Sequence, residues 1–94
     1  MITRIVKLTI DEAHIFDFRL AFRDNHNRIV GFPGCSDVRL VHDLRNPCVH
    51  FTISVWDAES DLDNYRHSEV FEEIWSTVKP WFSAKAEAWS TEEF

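Results

Sequence analysis

The sequence predicts a single α+β domain over residues 1–94, with elements in the order β-α-β-β-α-β and a four-stranded antiparallel sheet carrying its helices on one face. Three observations predict it. Period-two alternation of apolar residues occupies residues 2–9, 35–42 and 48–56. Apolar residues at helical spacing fill the two long gaps between and after these runs. The short gap, Asp43-Leu-Arg-Asn-Pro47, has the length of a hairpin loop.

In the first strand, Ile2, Val6 and Leu8 share a face with Arg4, and Thr3, Ile5 and Lys7 share the other. Thr9-Ile-Asp-Glu12 has capping-box spacing, so a helix is expected to begin there, with Asp11 as a rival cap. Ile15, Phe18, Phe22 and Ile29 mark its buried side, and Asp24 to Arg28 form its wet face or a frayed end. Gly31-Phe-Pro-Gly34 closes it, because proline cannot extend a helix and glycine accepts positive φ.

In Cys35–His42, Val38, Leu40 and His42 oppose Asp37, Arg39 and Val41, the pattern of a half-buried strand. In Cys48–Trp56, Val49, Phe51, Ile53 and Val55 oppose His50, Thr52, Ser54 and Trp56. Neither face carries a charge, so this strand is expected to be central and covered on both sides. Asp57 is expected to cap a short helix with Ala58, Leu62 and Tyr65 on one face. Ser68 caps a second helix, whose stripe of Val70, Phe71, Ile74, Trp75 and Val78 must cover a sheet before Pro80 stops it. Residues 86–93 complete the plan as an edge strand or arm. This ferredoxin-like layout leaves one sheet face bare. With apolar residues on both faces of the third strand, the economical cover is a second copy, giving a homodimer through the sheet face.

Eight Phe, four Trp and one Tyr are more aromatic surface than so small a monomer readily hides, which points to an interface or an apolar pocket. A net charge of −6 argues against nucleic acid and anionic membranes as partners. Residues 57–73 alone hold seven acids against one Arg, which reads as a solvated helix face. No apolar run approaches the roughly 18 residues of a membrane helix, and Met1 leads into a strand rather than a signal peptide, so a cytoplasmic location is expected. Cys35 and Cys48 would begin consecutive antiparallel strands, on the order of 24 Å apart, and are expected to be reduced structural thiols. No histidine pair has metal-ligand spacing, and two glycines cannot build a nucleotide cradle, so neither a metal nor a cofactor is expected.

His67 lies at the corner between the last two helices, where an imidazole could take a proton from a phenol or steady an enolate. It could equally cap a helix or touch a partner subunit. Tyr65 could donate to a substrate oxygen or simply pack in the core, and Ser68 serves better as a cap than as a nucleophile. His50 and Thr52 could line a cavity between sheet and helices, and Trp56 and Trp75 could wall a flat ligand or fill the core.

The run Trp56-Asp-Ala-Glu-Ser-Asp-Leu, followed by Asn64-Tyr-Arg-His-Ser-Glu-Val-Phe71 and Ile74-Trp75, resembles the antibiotic biosynthesis monooxygenase family. Phe32-Pro-Gly-Cys35 and Lys85-Ala-Glu-Ala-Trp-Ser90 extend the resemblance along the chain. It implies a dimeric α+β barrel, in which two ferredoxin-like sheets face each other. It also implies a choice among cofactor-free oxygenation of anthrones or quinols, haem degradation, isomerisation and proteins of no known activity. The haem-degrading branch uses an Asn, a Trp and an axial His. Those positions fall here on Thr3 or Arg4, on Tyr65 and on Trp75, so haem is not expected. The oxygenase branch uses an Asn and a Trp, for which Asn64 and Trp56 stand nearby. The leading expectation is therefore a cofactor-independent monooxygenase acting on a small electron-rich aromatic or quinol. His67 and Tyr65 would be its catalytic pair, and Trp56, Asn64, Phe71, Trp75, His50 and Thr52 its pocket. A non-redox binding or isomerising protein, or a structural dimer, are the alternatives.

Overall fold

The computed structural model describes all 94 residues. Strand β1 (Ile2–Thr9) leads through a 3-10 turn (Glu12–His14) into helix α1 (Ile15–Val30). Strands β2 (Cys35–His42) and β3 (Val49–Trp56) form a hairpin, helices α2 (Glu59–Arg66) and α3 (Glu69–Val78) follow, and β4 (Glu87–Thr91) closes the chain. The sheet order is β2-β3-β1-β4, antiparallel throughout, which is the ferredoxin-like arrangement. β3 is central, pairing Ile2 to Thr9 against Trp56 to Val49 on one side and the β2 hairpin on the other.

At Thr9 and Asp57 the structure departs from the local capping signals, for tertiary reasons. Thr9 caps nothing, because it ends β1 opposite Val49, and Ile10 continues the ladder by donating its N–H to the Cys48 carbonyl at 2.8 Å. The cap falls to Asp11, whose carboxylate accepts the Ala13 N–H at 2.9 Å. Asp57 does not cap α2 either. Its N–H donates to the Gly34 carbonyl at 2.8 Å, and the helix begins after Ala58 without a side-chain cap. α1 does not fray at Asp24 to Arg28; it runs on to Val30, steadied by an Arg28–Glu73 ion pair to α3. Ser68 does cap α3, accepting the Phe71 N–H at 3.2 Å while donating to the Tyr65 carbonyl at 2.6 Å.

The helices cover only one sheet face, the one bearing Arg4, Val6, Leu8, Val38, Thr52, Ser54 and Trp56. β3 is thus covered on one side in the isolated chain, not on both as its sequence suggests. Beneath the helices the core divides in two. Ile29, Val38, Trp56, Leu62 and Tyr65 pack at one end, and Leu8, Ile10, Phe18 and Val78 at the other. Between them the sheet presents small groups, Thr52 and Ser54 on β3 and Ala86 and Ala88 at β4, too short to meet the helices. The gap they leave is the site.

Candidate functional site

A cavity of about 300 Å³ lies between the sheet and the helices, and 15 of its 19 lining residues are hydrophobic. That is the lower end of ligand-pocket size. Its aromatic wall is continuous. Trp56 packs on Tyr65 with ring centroids 5.1 Å apart, Tyr65 meets Phe71 edge-on at 5.3 Å, and Phe71 stacks on Trp75 at 5.6 Å. Phe32 braces Tyr65 from behind at 5.3 Å. The spacing of α2 and α3 produces this wall, because Leu62 and Tyr65 share the inward face of one helix and Phe71, Ile74, Trp75 and Val78 that of the next.

Polar groups in the wall are few. The Trp56 indole N–H donates to Ser54 Oγ at 2.9 Å, so the ring is held by its polar edge as well as by packing. Trp56 is 0 % exposed. Burial first, and then the neighbouring Cys35, push the Tyr65 hydroxyl up to about 12, so at neutral pH it is a donor and never a phenolate. Two further polar side chains, Arg4 from β1 and Arg66 from the end of α2, complete the lining.

Of the residues singled out in the sequence, the structure brings Tyr65, Trp56, Phe71, Trp75 and Thr52 together around the cavity. Three others lie elsewhere. His67 is exposed on the far side of α2, where its Nδ1–H donates to the Asp63 carbonyl at 2.7 Å and closes the helix end. Asn64 is exposed on the same helix and does not reach the cavity. His50 is 1 % exposed, but it packs behind the cavity against the edge of Phe18 at 5.3 Å. Arg19 Nε donates to its Nε2 at 3.1 Å, which assigns the ring proton to Nδ1, facing the Cys48 carbonyl at 3.3 Å. Burial, followed by smaller influences that include the Arg19 charge, holds His50 below the ordinary histidine range.

No histidine and no carboxylate lines the cavity. No three His, Cys, Asp or Glu side chains converge anywhere as metal ligands do. Cys35 and Cys48 are both free, and burial raises the Cys35 thiol above its ordinary range, which favours the protonated form.

Fold and cavity together define a ferredoxin-like α+β domain with a ligand-sized apolar interior. The family model described as antibiotic biosynthesis monooxygenase matches residues 1–75, and the chain belongs to that family. Among solved structures it superposes on a Nitrosomonas europaea protein provisionally named an antibiotic biosynthesis monooxygenase, with a TM-score of 0.90, 16% identity and coverage of 99% of this chain and 98% of that one. A conserved protein from Methanosarcina mazei Go1 gives 0.91 at 20% identity, covering 100% and 94% of the two chains. A provisionally named antibiotic biosynthesis monooxygenase from Caulobacter crescentus CB15 gives 0.91 at 15% identity, covering 99% and 89%. Identities of this size show a common fold. No curated protein matches the chain.

Proposed function

We propose that the protein is a monooxygenase of the antibiotic biosynthesis type, acting without a cofactor on a small electron-rich aromatic or quinol. The observation that carries this reading is the cavity of about 300 Å³ walled by Trp56, Tyr65, Phe71 and Trp75. A flat ring fits such a wall, and an apolar lining excludes water from a reactive carbanion. For an anthrone-like methylene the chemistry balances without an added reductant. The C–H proton leaves, the carbanion adds O₂ and a proton to give a hydroperoxide, and loss of water leaves the ketone. One oxygen atom ends in product and the other in water.

Neither a histidine nor a carboxylate lines the cavity, so the reading calls for a substrate acidic enough to ionise without a protein base. Tyr65 serves as hydrogen-bond donor to the ring oxygen, and His67 has no part in proton removal. Oxygen uptake by the metal-free protein with a panel of anthrones and hydroquinones tests this. Uptake should track quinone formation, follow the substrate's own ionisation with pH, and survive His67→Ala. A strong loss with His67→Ala would show that the assignment of proton removal is wrong. A flat trace across the panel would favour a second reading, binding without turnover, which the base-free lining also suits.

We also infer that a second copy covers the open sheet face. Ile5, Phe51, Ile53 and Val55 form its apolar middle, and Val41 and Trp89 stand 39% and 46% exposed there. No helix of the protein is long and apolar enough to cross a membrane. Two free, partly buried cysteines favour a reducing compartment, which supports a cytoplasmic setting.

A further inference from the structure

The cavity's hydrocarbon wall contains two guanidinium groups that the protein itself leaves unpaired. Arg66 is exposed and Arg4 partly buried, so water solvates both and leaves their donors available to an anion. The protein's ion pairs are Lys7–Glu87, His14–Asp17, Arg23–Asp24, Arg28–Glu73 and Arg39–Asp37, so neither Arg4 nor Arg66 has a carboxylate within 4.0 Å. Arg4 spends one donor on a neutral acceptor, with Nη1 donating to Ser90 Oγ at 2.9 Å. Burial and then the repulsion of Arg66 lower the Arg4 pKa, and the opposing field of Asp63 is the smaller influence. Two cations are therefore set near each other, and apart from the Arg4–Ser90 bond no protein group accepts from their planar donors.

Their placement is that of an anion subsite at a doorway. Arg66, Phe71 and Trp75 line both the cavity and a shallower polar groove outside it, so Arg66 stands at the mouth. The groove's one carboxylate, Glu72, shares it with Lys79 as well as Arg66. Arg4 lies deeper, on the middle of the sheet between Ser54 and Ser90. The contrast with the whole chain is sharp: the net charge is −6, while the charged groups lining this cavity are two arginines and no carboxylate.

We propose that the cavity recognises an aromatic carboxylate, its ring system against the Trp56–Trp75 wall and its carboxylate received by Arg4 and Arg66. A carboxylate between two guanidinium groups accepts charge-assisted hydrogen bonds and relieves their repulsion at the same time. The proposal names the substrate class of the cavity read above as a ligand site, and it rests on that reading only for the cavity's being occupied at all.

Isothermal titration calorimetry of the whole protein with 2-naphthoate and with its neutral isostere 2-naphthamide tests it. The carboxylate should bind about tenfold tighter or more. Arg4→Gln and Arg66→Gln should each remove most of that preference, weakening the acid far more than the amide, and Arg4→Lys should keep part of it. Melting curves of the free variants provide a readout independent of ligand. Arg4→Gln should melt close to the parent, since it loses one exposed hydrogen bond to Ser90 and relieves the repulsion of Arg66. Equal affinity for acid and amide would overturn the proposal while leaving the cavity reading standing, as would a preference that survives in the double variant. Failure of both probes to bind would overturn both.

Discussion

Tyr65 and His50 sit within the same interior, yet burial acts on them in opposite pH directions. The His50 pKa is depressed below 6.5, so between the two values the unfolded chain binds the proton that the folded chain refuses. Its contribution to stability is complete above about 6.5 and is lost as pH falls through the lowered folded value. The melting temperature should therefore drop from pH 7 toward pH 5, and His50→Gln should flatten that slope. For Tyr65 the folded value is raised from 10.0 to about 12, so stability is complete below 10 and falls as pH rises toward 12. Tyr65→Phe should remove this alkaline loss and leave the acid limb unchanged, as read by thermal melting across both ranges.

At the scale of elements, the strands were legible in the sequence, as were the caps Ser68 and Asp11, whereas Thr9 and Asp57 misled. A strand's faces follow from a period of two, and the pairing then locks each face to the core or away from it. A cap depends on whether tertiary contacts leave the backbone groups free. Thr9 and Asp57 have the right side chains, but their neighbourhood is committed to Cys48 and Gly34. Helix phase explains the misplaced histidine. Tyr65 points inward, and a residue two further on lies roughly 200° round the helix, which puts His67 in solvent. The sequence signal for Arg4 is its place as a cation in the same inward row as Val6 and Leu8.

Two substitutions test the connections between elements. Gly34 has φ +89°, and a Cβ there would overlap the Asp61 side chain of α2. Gly34→Ala should therefore destabilise by at least the roughly 1–2 kcal/mol of a left-handed alanine, measured by urea unfolding. Ser68→Ala removes the α3 cap and should cost about 1 kcal/mol in the same assay.

At the scale of the whole molecule, the sheet separates two apolar regions with different fates. One faces the helices and encloses the cavity; the other is open. Pairing of open faces predicts a mass about twice 11.1 kDa by light scattering. Ile53→Asp, at the centre of that face opposite Ile5 and Arg39, should return the protein to a monomer. Thr52→Leu acts on the other side. Filling the gap between the two halves of the core should raise stability by about 1 kcal/mol, a few degrees in melting temperature, while displacing any ligand.

The divided core also governs how the protein responds to compression. Space that the chain's own atoms leave unfilled disappears when the fold opens, so the unfolded state occupies less volume. Hydrostatic pressure should accordingly unfold this domain more readily than a fully packed one of its size. Thr52→Leu should reduce the volume change, and 2-naphthoate should shift the transition to higher pressure with the logarithm of its concentration above the Kd.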